Sequence, residues 1–208
     1  ILEPKKRNTA PAILSSALIE DIPNDQPLIY FSADHMIEKF NKLIKSIKQN
    51  KSNLDSKNIF IFGVKPRSNS SNYGYFLSKK NGTMNIVTKF IEKPNLEKAK
   101  KIIKQKAYWN SGIFFIRKDS IINNFKKLQP QIFKNCKKAV INSRQIQNTY
   151  HLNKKNFSKL ASKSFDYAIL EKAKNVRAVK LDILWSDLGS WREISKMFND
   201  NKLKYFNK

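Results

Sequence analysis

Apolar and polar positions along the chain follow two different periods, and the switches between them outline short strands alternating with helices. Thr9 fits a helix N-cap, with Pro11 in the first turn and Ile13, Ala17 and Leu18 as the apolar stripe behind it. Leu28–Phe31 is a short apolar run that reads as a buried strand, ending in Ser32-Ala33-Asp34-His35. From Met36 to Lys48 the apolar residues Met36, Ile37, Phe40, Leu43, Ile44 and Ile47 recur at helical spacing. Ile59–Val64 reads as a second buried strand, closed by Pro66. A polar loop, RSNSSN, leads to Tyr73–Leu77, and Asn81-Gly82 marks a tight hairpin whose return strand is Asn85–Ile91. Beyond it the pattern predicts a Lys-rich helix over Leu96–Lys106, a strand over Ile113–Ile116 and helices within Ser120–Asn142. An amphipathic segment at Asp166–Lys172, a strand at Val176–Leu181 and a final helix at Ser190–Phe198 complete the series.

Strands alternating with helices predict an α/β fold built on a mixed, mainly parallel sheet flanked by helices. Ligands in such sheets gather beyond the carboxyl ends of the strands, and Asp34 stands at one of those ends. The length, 208 residues, suits a single domain with a substantial core. No apolar run approaches the roughly 18 to 20 residues of a membrane span, and no secretory leader pattern is visible. The expected location is therefore the cytoplasm, with no membrane partner. Cys136 is the sole cysteine, which excludes an internal disulfide framework and a Cys-rich zinc site.

Charge raises a competing reading. The formal net charge is +25, which ordinarily points to nucleic acid or an anionic membrane. The excess is carried by 35 Lys against 6 Arg, alongside 24 Ile and 23 Asn, a set that AT-rich codons favour. Base readers lean on the Arg fork, which is scarce here, so a specific nucleic-acid partner is not expected. A basic surface still attracts phosphorylated small molecules.

Several short motifs carry candidate chemistry, each with a plainer structural reading. Asp34 could ligate a hard cation such as Mg²⁺, which takes one or two carboxylates and shares the rest of its shell with phosphate and water. It could equally cap the helix beginning near Met36. In Trp185-Ser186-Asp187-Leu188-Gly189-Ser190-Trp191, Asp187 is either a second metal ligand walled by aromatics or a helix cap beside two core indoles. Gly74 in Tyr73-Gly74-Tyr75 marks a bulge or a close backbone approach to a ligand. Glu92-Lys93-Pro94 ends a strand with a charge pair, and Trp109-Asn110-Ser111-Gly112 reads as a polar turn opening one. His35 reads as a supporting residue rather than a base.

The order of these pieces along the chain resembles the bacterial mannose-1-phosphate guanylyltransferases, a branch of the sugar-phosphate nucleotidyltransferases. The matching set is EP-x-x-RNTAPA, ADH, YGY, F-x-EKP, WNSG-x-F, DYA-x-x-EK and LD-x-x-WSDLGSW, from Glu3 to Trp191. The resemblance implies a Rossmann-like nucleotidyltransferase fold and the conversion of GTP and mannose 1-phosphate into GDP-mannose and pyrophosphate. It implies that Asp34 and Asp187 hold the catalytic Mg²⁺ and that Lys93 binds the sugar phosphate. It further implies that Gly74, Glu92 and Asn110 contact the sugar, and that Glu3, Arg7 and Asn8 lie near the nucleotide base. The family's Gly-rich phosphate loop is not found, so the chain reads as an N-terminally truncated catalytic domain over residues 1–208, without its own turnover. A β-rich C-terminal region is missing too, and the family's usual PTRPETGYGY loop here reads PRSNSSNYGY, with Asn72 in place of a glycine and Ser70 in place of a glutamate. Transfer to another hexose or base, or a non-catalytic sugar-nucleotide binder, are the alternative readings. A homo-oligomer is compatible with the family.

Overall fold

Ile59–Val64 (β3) is apolar at every position, a pattern that suits only a strand covered on both faces. In the computed structural model, which describes residues 1–189 together with 191, 194 and 195, that is where it lies. Ile59 and Ile61 point into one core layer, and Phe60, Phe62 and Val64 into the other. β3 is central in a six-stranded sheet with Pro27–Tyr30 (β1), Tyr75–Asn81 (β4), Met84–Ile91 (β5), Tyr108–Arg117 (β6) and Val176–Leu181 (β9), in the order β1-β6-β3-β9-β5-β4. Helices Thr9–Ala17 (α1), Lys118–Leu128 (α4) and Pro130–Ile141 (α5) cover the first layer. Phe40–Asn50 (α2) and Leu96–Lys104 (α3) cover the second, presenting Leu43, Ile47, Ala99 and Ile102 from otherwise charged surfaces.

The sheet is mixed, as expected, but not mainly parallel. Among the described residues only β3 and β9 run parallel, and the other pairings are antiparallel. Apolar runs alone do not separate a crossover from a hairpin. Here Asn81-Gly82 folds β4 directly back on β5, with Gly82 at φ 58°. β6 then enters between β1 and β3, antiparallel to both.

Three local departures shape the site. Helix α2 starts at Phe40 rather than Met36, because Lys39 takes a left-handed conformation that a helix cannot continue through. The freed pair Met36–Ile37 (β2) instead makes a two-stranded ladder with Trp185–Ser186 (β10). Asp34 therefore caps no helix. Trp109-Asn110-Ser111-Gly112 is not a turn before a strand but the first half of β6, interrupted by a bulge. Between Ile61 and Gly63 of β3 the partner advances from Phe114 to Asn110, and Gly112 takes up the excess at φ 70°. At the first helix the cap is Asn8, one residue ahead of Thr9, whose Oγ1 accepts the Phe165 N–H instead. Arg144–Ile146 (β7) and Thr149–His151 (β8) form a small hairpin with no clear sequence signal, followed by the short helix Lys154–Phe157 (α6). Most of the expected helix at Ser190–Phe198 lies outside the described residues. No described helix is long and apolar enough to cross a membrane.

Candidate functional site

Strand ends and the β6 bulge converge on one small cavity. Tyr73 and Gly74 lead into β4, Glu92 follows β5, and Asn110 sits just ahead of the bulge in β6. Asp187 follows β10, and the β2–β10 ladder lays the His35 segment beside it. Backbone bonds lock the entry of β4 to its neighbours: Asn110 N–H donates to Gly74 O at 2.8 Å, and Lys93 N–H to Tyr73 O at 3.2 Å. At the bulge Ser111 Oγ donates to the Phe62 carbonyl at 2.7 Å. The cavity, about 140 Å³, is lined by Gly74, Glu92, Asn110 and Asp187 together with His35, Asn72, Tyr73, Gly112, Asp166 and Trp185.

One wall is aromatic. Tyr73 meets Trp109 and Trp185 edge-on at centroid separations of 4.7 and 5.3 Å, and His35 meets Trp185 at 5.3 Å. Tyr73 OH donates to Asp187 Oδ1 at 3.0 Å, and Gly189 N–H reaches the same oxygen at 3.3 Å. Both contacts orient the carboxylate toward the cavity. His35 Nδ1 and Trp185 Nε1 are buried with no hydrogen-bond partner among the described residues.

The opposite wall is acidic. Asn110 Nδ2 donates to Asp166 Oδ1 at 2.7 Å, and the Glu92 N–H donates to Glu171 Oε1 at 3.1 Å. Burial, then the nearby Asp166 charge, push the Glu92 carboxyl up to about 8, against the opposing pull of Lys93. Burial also raises Asp166, to about 6, while its own backbone N–H, Lys93 and the Asn110 amide pull the other way. Burial of both carboxyls, and the closeness of their charges, favour keeping a proton on the pair. Gly74 is packed against this group: a Cβ there would lie 2.5 Å from Glu92 Oε2.

Of the nine residues singled out from sequence, Gly74, Glu92, Asn110 and Asp187 meet in the cavity. Lys93 is exposed at its edge, in a left-handed conformation at φ 45°. Asp34 is exposed and is not a lining residue, whereas its neighbour His35 is. Glu3, Arg7 and Asn8 lie elsewhere, along the segment that packs on α6 and the loop after it. There Asn8 caps α1, the Arg7 guanidinium donates to Ser158 O, and burial raises the Glu3 carboxyl. Mg²⁺ fits the donor set at the cavity: it needs only one or two carboxylates beside substrate phosphates, and Asp187 supplies one already oriented. Among the described residues no group of three or more His, Cys, Asp or Glu could hold a metal by itself. Asp166 and Tyr73 also line the cavity; sequence reasoning missed them as site residues, although they lie in the motifs DYA and YGY, whereas Trp185 of WSDLGSW is one of the aromatics expected to wall it.

A family model described as nucleotidyl transferase matches residues 1–203. The chain belongs to the nucleotidyl transferase family. It is 34% identical over 204 residues to a mannose-1-phosphate guanylyltransferase of Escherichia coli, covering 93% of this chain and 44% of that protein. This nucleotidyl transferase chain thus spans less than half the length of the curated relatives it matches. Its backbone superposes with a TM-score of 0.81 and 25% identity on a Thermus thermophilus structure described as a mannose-1-phosphate geranyltransferase, covering 95% of this chain and 57% of that one. A Helicobacter pylori structure described as a mannose-6-phosphate isomerase matches with a TM-score of 0.79 and 28% identity, over 89% of this chain and 72% of that one.

Proposed function

We propose that this chain is the sugar- and metal-binding portion of a mannose-1-phosphate guanylyltransferase, acting on GTP and mannose 1-phosphate. The observation that carries the reading is the meeting of Gly74, Glu92, Asn110 and Asp187 around one cavity, although they come from segments scattered over more than half the chain. The likeness to relatives named for this activity supports it. In the reaction a phosphate oxygen of mannose 1-phosphate attacks the α-phosphorus of GTP, and the bond to the β,γ-diphosphate breaks to release pyrophosphate. Such a displacement depends on alignment and charge neutralisation more than on proton transfer.

Each residue has a part in that work. Glu92 and Asn110 bind sugar hydroxyls, with Gly74 leaving room for Glu92 and offering its backbone. Burial, which raises the Glu92 carboxyl, favours its neutral form and so lowers the cost of bringing a phosphate beside it. Lys93 neutralises that phosphate, and Asp187, the carboxylate that lines the cavity beside His35, would hold Mg²⁺. When bound, the metal supplies positive charge to the reacting phosphates. The Glu3–Asn8 segment is assigned to the nucleotide side. Calorimetric titration of this chain with mannose 1-phosphate, glucose 1-phosphate and GTP tests the reading. Mannose 1-phosphate is expected to bind at least ~10-fold more tightly than glucose 1-phosphate, a preference of roughly 1.4 kcal/mol. Equal affinity for both sugars, or no binding of either, would overturn it.

A further inference from the structure

Two of the sugar-facing groups are held by one short turn. Residues Asp166–Leu170 form a π-helical turn, closed by Glu171 N–H donating to Asp166 O at 3.0 Å. Asp166 and Glu171 are five residues apart. At about 100° per residue a regular α-helix would set their side chains roughly 140° apart. The wider π turn reduces that angle, and both carboxylates reach the same end of the sheet. Asp166 Oδ1 takes the Asn110 amide of β6, and Glu171 Oε1 takes the Glu92 N–H after β5. The turn's apolar side, Ala168, Ile169 and Leu170, is buried in the core layer under α4, which fixes its position. A further anchor comes from the end of α4, where Gln129 Nε2 donates to Ala168 O at 2.8 Å.

We propose that the Asp166–Glu171 turn is a positioning clamp for the sugar site, in which Asp166 orients the Asn110 amide and Glu171 fixes the backbone at Glu92. The identity of the ligand rests on the function proposed above; the clamp itself rests on this geometry. A carboxylate only accepts, so it selects the nitrogen end of the Asn110 amide and turns Oδ1 the other way, toward the Gly112 N–H at 3.4 Å. Asn110 is thereby set as an acceptor on the cavity side, suited to a sugar hydroxyl donor. The groups that act on the clamp are Glu92, Lys93, Asp166 and Glu171, with Tyr167 exposed beside them. Burial raises the Asp166 carboxyl while the Asn110 amide is among the groups that pull it back down, so this bond favours the ionised form, the stronger acceptor.

The test uses the ¹⁵N-labelled chain and needs no ligand for its first arm. The Asn110 side-chain NH₂ resonances are expected to shift with pH as Asp166 titrates, and to lose that response in Asp166→Asn. The Glu92 amide is expected to exchange with solvent at least ~10-fold faster in Glu171→Ala, with protection largely restored in Glu171→Gln, whose oxygen can still accept. In the second arm, Asp166→Ala is expected to weaken mannose 1-phosphate binding by ~10-fold or more, and Asp166→Asn to recover part of it. Unchanged Asn110 resonances across pH and an unchanged Glu92 exchange rate would overturn the clamp, whether or not the sugar phosphate binds. Responsive amides without binding would leave the clamp standing and remove mannose 1-phosphate as its ligand.

Discussion

Glu92 illustrates how a single side chain links burial to function. Its carboxyl is raised from 4.5 to about 8, so the folded state binds this proton more tightly than the unfolded chain does. The associated stability is present below the unfolded value and is lost as pH rises through about 8. Glu92→Gln keeps the shape and removes the titration. It is expected to raise Tm at pH 8 by at least ~2 to 4 °C, corresponding to about 1 kcal/mol, and to leave Tm nearly unchanged at pH 4.5. Thermal melts across pH 4–9 check this. Gly74 makes the complementary case. The nearest obstacle to a Cβ there is the end of the flexible Glu92 side chain, at 2.5 Å. Gly74→Ala should therefore displace Glu92 at little cost to folding. The expected outcome is a Tm within a few degrees of the parent and mannose 1-phosphate affinity lowered ~10-fold or more, read by melting and calorimetry on one preparation. Both residues are visible as motif members, but the sequence does not show that one touches the other.

Among the elements, those with a one-dimensional signal emerge where expected. β3, the Asn81-Gly82 hairpin, α3 and the pair α4–α5 follow directly from apolar runs, turn chemistry and helical spacing. The failures occur where a neighbour overrides local preference. Met36 and Ile37 fit the α2 period but pair with Trp185–Ser186, a partner some 150 residues away. Along β6 one edge keeps β3 as its partner on both sides of the bulge, while the other edge passes from β1 to β4. Lys118 shows the same at a junction: it begins α4, yet its ammonium is buried and donates to Ile19 O at 2.8 Å and Ile22 O at 2.5 Å. It thus satisfies the carbonyls that follow α1. Lys118→Met keeps the length of the stem and removes both bonds. The expected loss is about 1–3 kcal/mol of unfolding free energy in urea titration, with the slope unchanged.

For the molecule as a whole, charge is the dominant unsatisfied term. Against a net charge of +25, the described residues form two ion pairs, Lys42–Asp182 and Arg117–Asp119. Most lysines are thus left to repel one another across solvent, a repulsion that salt screens. Raising NaCl from about 10 mM to 300 mM shortens the Debye length severalfold and is expected to raise Tm by several degrees, at ~2 to 4 °C per kcal/mol. A Tm that falls over that range would place the balance with attractive pairs instead. Composition, apolar periodicity and turn residues determined that the chain forms an α/β domain, because burial and backbone preference act locally and leave a one-dimensional trace. The motif order carried the family resemblance and named four of the residues that meet in the cavity. Only the tertiary structure decided that the sheet is mixed through antiparallel pairing, that Asn110 sits beside a bulge, and that Asp166 and Glu171 accept bonds from the Asn110 amide and the Glu92 backbone at the cavity. Those outcomes depend on strand register and on contacts between distant segments, and register is set by packing in three dimensions rather than by the residues of any one strand.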